Sequence, residues 1–168
     1  SLSLINLIGF SLFPKAGLPQ FLITIETPRG STIRETDKVV KHVESILASR
    51  QEVKYYMSNI GKGNPMIFYN AFQKSEQSVL GEILCELNTR SQPEIEQVIE
   101  SLRDTLDNYI NARIYINEFE NGMPVDDAIA LRLIGNNLDS VAVYSQKIEE
   151  IITAQEGTIY VKNPLSQS

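Results

Sequence analysis

Several residue types are nearly or wholly missing from this chain, and each absence narrows what it can do. There is one cysteine, Cys85, so no internal disulfide can form, and the redox compartment stays open because a disulfide-free protein is allowed anywhere. There is one histidine, His42, which excludes histidine-cluster metal sites and any second imidazole base. Tryptophan is absent. Positive charge is the minority sign: 15 Lys and Arg stand against 21 Asp and Glu, a net charge of -6. Nucleic acid and anionic membrane surfaces repel such a chain, so neither is an expected partner. The one long uncharged apolar stretch, Leu2 to Phe13, is shorter than the roughly 20 residues a bilayer span requires.

What is present is ordinary soluble material, 168 residues that are 42% hydrophobic and 21% charged, enough for one domain or two small ones. No basic region precedes the Leu2–Phe13 stretch and no small-residue cleavage site follows it, so a signal peptide fits poorly. Two readings remain for residues 1–18: the tail of a membrane helix with its lead-in segment, or a buried segment of a soluble domain.

A strand–helix–strand grammar follows. From Gln20 to Thr27, Phe21, Ile23 and Ile25 alternate with Leu22, Thr24 and Glu26, the period of a strand. Thr32 with Glu35 forms a capping box, and the helix behind it carries Thr36, Val39, Val40, Val43, Ile46 and Leu47 on one face. His42 falls on the solvated side beside Lys38 and Lys41. Val53 to Ile60 reads as a strand in which Tyr55 and Met57 alternate against Lys54 and Ser58.

Val79 to Leu87 reads as a strand with Cys85 in its apolar set, which makes it a core thiol. Ser91 with Glu94 suggests a second capping box, ahead of a helix burying Ile95, Val98, Ile99, Leu102 and Leu106. Ala112 to Phe119 closes the block as a strand. Beyond Glu120–Pro124 the grammar repeats once: a strand over Ala128–Ile134, a helix capped by Asn137, and a strand over Gly157–Lys162. In that helix Val141, Tyr144, Ile148, Ile151 and Ile152 form the expected inner face.

The fold class predicted is therefore α+β: a ferredoxin-like βαβ-βαβ sandwich, followed by an additional partial βαβ unit whose sheet edges invite a partner. The segmentation is 1–18, then 19–119 for the complete set, then 120–168 for the hinge and the partial one.

Between the two halves of the first set lies the stretch the rest is organised around, Asn59 to Phe72. Gly61, Gly63, Asn64 and Pro65 break any ladder, and Met66, Ile67, Phe68, Tyr69 and Phe72 follow as bulky apolar side chains. A flexible neck bearing adaptable side chains suits a mobile element that touches apolar ligands. The alternative is a long connection whose aromatics pack on the sheet.

Other chemistry is sparse. Gly61-Lys62-Gly63 matches part of a phosphate loop, but no helix follows it. Arg29-Gly30-Ser31 before a helix could hold an anion, yet no partner for hydrolysis stands out. No nucleophile–base pair or metal-ligand spacing can be nominated, so neither catalysis nor a cofactor is expected.

The order of several tags resembles the second large extracytoplasmic loop of resistance-nodulation-division (RND) efflux transporters of the acriflavine-resistance type. These are Leu12-Phe13-Pro14, Gln20-Phe21-Leu22, Glu26-Thr27-Pro28, Gly30-Ser31-Thr32, Ser58 to Pro65, Phe119 to Pro124 and Gly157-Thr158. The resemblance implies one porter subdomain and the first half of the next. It also implies a substrate path for hydrophobic or amphiphilic small molecules at Gly61, Gly63, Met66, Phe68, Tyr69, Phe72, Glu120 and Met123, with Phe119–Pro124 as hinge and cleft floor.

It further implies a proton-driven pump of the bacterial inner membrane, facing the periplasm. That pump would be a homotrimer working with a periplasmic adaptor and an outer-membrane channel. Its membrane helices and proton-relay residues lie outside this sequence, so the chain alone transports nothing. The competing expectation is a soluble ferredoxin-like small-molecule-sensing module that dimerises through sheet edges.

The pump expectation can be checked in the gene. The reading frame should run continuously upstream of Leu12 through about 20 apolar residues, and a start codon or signal cleavage site there would count against it.

Overall fold

The computed structural model describes residues 15–69, 71, 73–107, 109–121, 130–155, 158, 160, 161 and 163–165. The chain divides into two compact units, Ser1–Pro124 and Val125–Ser168.

In the first unit, four strands and two helices follow in the order β1 (Gln20–Glu26), α1 (Ile33–Ala48), β2 (Val53–Ile60), β3 (Leu80–Leu87), α2 (Gln92–Leu106) and β4 (Arg113–Glu118). The sheet order is β2-β3-β1-β4, and every neighbouring pair is antiparallel. This is the ferredoxin-like α+β arrangement that the alternation of strand and helix periods predicts.

Helix α1 packs against β1, β2 and β3, and α2 against β4. The core between helices and sheet is built from Phe21, Ile23, Ile25, Ile83, Cys85, Ile114 and Ile116 of the strands. Val40, Val43, Leu47, Ile95, Ile99 and Leu102 meet them from the helices. Cys85 is fully buried, and desolvation pushes its thiol up to about 12, which leaves it chemically quiet. Gly81 lies where α1 crosses β3: a Cβ there would stand 2.6 Å from Cγ2 of the fully buried Val40, so a larger residue would force helix and strand apart.

Local chemistry sets the helix ends. The Thr32–Glu35 capping box forms, with both reciprocal bonds present. The second expected box does not. Ser91 is the N-cap of α2 but makes no side-chain cap bond, and the Thr89 hydroxyl instead donates to the Glu94 carboxylate and accepts the Ser91 amide. The Thr89 hydroxyl takes the Ser91 amide, which in a capping box the Glu94 carboxylate would take, so the carboxylate reaches that amide only through Thr89.

β2 also departs from simple alternation. A bulge between Val53 and Tyr55 shifts its pairing, so Val53, Tyr56 and Ile60 pack on the core while Tyr55 and Met57 are exposed.

In the second unit, α3 (Leu138–Thr153) is capped by the Asn137 side chain, which accepts the Ser140 amide. Residues 130–134, 158, 160 and 161, within the two strands expected to flank it, belong to no helix or strand, and the other residues of those segments are not described. A strand exists only through its ladder partner. The inner face of α3 differs from the expected one as well. Ser145 is buried, with Val141, Ile148 and Ile152 half-buried, whereas Tyr144 and Ile151 are exposed. Asn163 ties the end of the unit back to the helix by donating to Ser145 and to Glu149.

On the sheet face away from the helices, the Glu86 carboxylate accepts from Lys54, Tyr55 and Gln20. Those three bonds, Lys54 foremost, push it down to about 2 from an ordinary 4.5. Because the folded value is depressed, the stability Glu86 supplies is complete above its unfolded pKa and is lost as pH falls through about 2. Glu86→Gln should therefore flatten the acid limb of a urea-midpoint-against-pH curve between about pH 4.5 and 2 while leaving the neutral limb parallel to that of the native chain.

Candidate functional site

Helices α1 and α2 cover one face of the sheet, and residues of the β2–β3 connection lie on the other. β1 and β3 are the inner strands, and their outward residues form rows in register. Asn59 pairs with Glu82, Glu82 with Thr24, and Thr24 with Tyr115. Two residues along, Met57, Leu84, Leu22 and Asn117 make the neighbouring row. Thr24, Glu82 and Leu84 are buried although α1 and α2 pack on the opposite face. Residues of the connection provide polar partners for this face.

The connection begins as an extension of the hairpin. Gly61 donates to the Leu80 carbonyl and accepts from the Gln77 amide, and Gly63 donates to the Lys74 carbonyl. Gly61 has φ 81, a left-handed conformation that glycine adopts freely and that turns the chain out of β2. At Gly63 the strands of the neck lie so close that a Cβ would meet the Lys74 amide nitrogen at 2.6 Å and Oε2 of Glu82 at 3.1 Å.

The chain then turns over the sheet. The Asn64 amide donates to Glu82 at 2.8 Å, the Asn59 side chain donates to that of Asn64, and Gln73 donates to the Gly63 carbonyl at 3.0 Å. Lys74 reaches in from the returning limb, its ammonium 3.4 Å from Oε1 of Glu82 and 3.4 Å from the Thr24 hydroxyl. Asn117 donates to that hydroxyl from β4. A buried carboxylate needs such partners, since an unpaired charge in a low-dielectric site is strongly disfavoured.

The tip of the connection is apolar. Phe68 stacks on Phe119 with centroids 5.0 Å apart and tilts against Tyr69 at 4.8 Å. Met66, Ile67 and Tyr69 are 60%, 43% and 59% exposed. Phe119 is itself held by the segment ahead of β1: its carbonyl accepts the Ala16 amide, and Lys15 bridges Glu120 in antiparallel fashion. Lys15 also pairs with Glu118 at 2.9 Å.

The structure thus joins some of the residues nominated from sequence and separates others. Gly61 and Gly63 form the neck, while Phe68 and Tyr69 meet at the tip with Met66 exposed nearby. Glu120 is exposed beside Lys15, at the edge where Phe119 receives Phe68. Phe72 and Met123 lie outside the described residues. Phe68 packs on Phe119, while Met66, Ile67 and Tyr69 are exposed.

Glu82, Lys74, Thr24 and Asn64 were not nominated from sequence. A signal was available, because Leu22, Leu80 and Leu84 make the outward face of β1 and β3 too apolar for a solvated one.

No protein-family profile matches this chain, and no curated protein matches it in sequence. Its fold is similar to that in two crystal forms of a heavy metal efflux pump, with TM-scores of 0.61 and 0.62. Identity is 12% and 13%, over 90% and 92% of this chain. The chain spans 17% of the pump's length in each. At that identity the likeness is one of fold. Among the described residues, no helix is long and apolar enough to cross a membrane.

Gly63→Ala should push the two limbs of the neck apart and lower stability by about 1–3 kcal/mol. Hydrogen exchange would register this as faster exchange at Asn64 and Lys74, with little change at Ile23 or Ile83.

Proposed function

We propose that this chain is a periplasmic substrate-path segment of a proton-driven RND-type efflux pump, of the multidrug acriflavine-resistance kind, and that its β2–β3 connection touches hydrophobic or amphiphilic cargo. The observation that carries the reading is the tip of that connection. Met66, Ile67 and Tyr69 project as adjacent apolar side chains from a glycine neck, held up by Phe68 on Phe119. Apolar side chains gathered at such a place suit loose contact with ligands of varied shape. The shared fold with an efflux pump supports the same assignment, as do the sequence tags from Leu12 to Thr158.

On this reading the chain performs no catalysis and needs no cofactor. It works inside a longer membrane protein that assembles as a homotrimer with a periplasmic adaptor and an outer-membrane channel. Membrane helices elsewhere in that protein supply the proton coupling. Cargo crosses the exposed apolar tip, so affinity is spread over several weak contacts instead of one tight polar pocket.

Titration with the fluorescent amphiphile N-phenylnaphthylamine tests this. The native chain should bind it weakly, and Phe68→Ala and Met66→Ala should each weaken binding by about three- to tenfold with circular dichroism unchanged. Silver(I) is the comparison arm, because the structurally similar protein is a heavy metal efflux pump. Silver binding that depends on Met66, without amphiphile binding, would replace the multidrug reading with a metal one. Tight saturation by a single polar metabolite, with a stable dimer, would favour the sensing module.

A further inference from the structure

Glu82 is an unusual group for the middle of a sheet. Its side chain is 3% exposed, and it sits on β3, which is paired on both sides. The partners it has are the Asn64 amide and the Lys74 ammonium, both supplied by the connection. The two members of the ion pair are held very differently. The carboxylate cannot leave without unzipping β3. Lys74 is 43% exposed at its side chain, stands in a run of exposed residues from Gln73 to Ser78, and makes its contacts at 3.4 Å. Releasing that ammonium to water costs little. Leaving the carboxylate without a cation costs much more. The position therefore requires a positive charge, and the one it has is loosely attached and reachable from solvent.

Next to it on the same face runs the row Met57, Leu84 and Leu22. Two residues along a strand span about 7 Å, a distance that the first few methylenes of a chain carried on a cationic nitrogen would cover. Met57 is half exposed, Leu22 half-buried and Leu84 between them buried, so the row is open to solvent at its Met57 end.

We propose that Glu82 is a cation-recognising group occupied here by the chain's own Lys74, and that the amphiphiles this unit takes are cationic. The ligand's positive head displaces the Lys74 ammonium, the Asn64 amide keeps its bond to the carboxylate, and the apolar body lies against Met57 at the open end of that row. This rests on the amphiphile reading above and adds to it a charge preference and the residue responsible.

The test compares two probes of equal chain length, dodecyltrimethylammonium and an uncharged dodecyl glycol ether. Both are titrated below micelle formation into the native chain, Glu82→Gln and Lys74→Met. Glutamine still accepts the Asn64 amide, methionine keeps the apolar stem of lysine, and a thermal melt confirms that each variant is folded. On the native chain the ammonium should bind about five- to thirtyfold tighter than the ether. Glu82→Gln should bring the two to parity, and Lys74→Met, which removes the tethered competitor, should widen the gap by about threefold or more.

Equal affinities on the native chain, or a preference that survives Glu82→Gln, would overturn the charge proposal while leaving amphiphile binding intact. Failure of the native chain to bind either probe would overturn both. Should Glu82→Gln not fold, Lys74→Met decides alone, and an unchanged gap there overturns the proposal.

Discussion

A sheet has two faces, and in this unit the helices cover one of them. The carboxylate of Glu82 stands near the centre of the other, in a strand hydrogen-bonded on both sides. A charge in that position is tolerable only if donors and a cation come to it. They come from a single connection, through the Asn64 amide and Lys74. The path of the chain between β2 and β3 follows from this need. It must turn back over the sheet at Gly61, pass close enough at Gly63 to exclude a side chain, and return through Lys74.

The contact between the connection and the sheet is therefore polar at its base and aromatic at its tip. Asn59, Asn64, Thr24, Glu82 and Lys74 meet underneath, and Phe68 meets Phe119 above. Polar groups released from such a contact are satisfied by water, whereas released apolar surface is not. The connection is held by polar bonds to the carboxylate at its base and by one aromatic stack at its tip. Phe119 also receives the Ala16 amide, so the residue that the tip stacks on is tied to the segment ahead of β1.

Most of the architecture was legible because burial on one face writes itself into the sequence. Phe21, Ile23 and Ile25 at period two, and Val39, Val40, Val43 and Leu47 at helical spacing, announce a sheet with helices on one side. Where the legible pattern failed, a single extra residue or a competing hydroxyl was responsible. The bulge at Val53/Tyr55 shifted the pairing of β2, leaving Tyr55 and Met57 exposed, and Thr89 took the Ser91 amide that Glu94 was expected to take. On α3 the expected stripe included Tyr144 and Ile151, which the structure leaves exposed, because periodicity marks an apolar face without saying how much of it is covered. The site divided in the same way. Its apolar tip was visible as composition, since Gly, Pro and aromatics cluster in one short stretch. The carboxylate beneath it was not, because Glu82 alternates with core residues as any outward-facing acid would.

By itself, the order of apolar and polar residues determined the strand–helix–strand repeat, the α+β class and the place of the organising connection. These are consequences of short-range periodicity and of what glycine and proline do to a backbone. Only the tertiary structure decided that the second face of the sheet is covered, and that Glu82 and Lys74 meet there. It also set Phe68 on Phe119, 51 positions along the chain. The register of β1 with β3 and β4 brings these groups together. Register is a property of paired strands, so no reading of one strand at a time contains it.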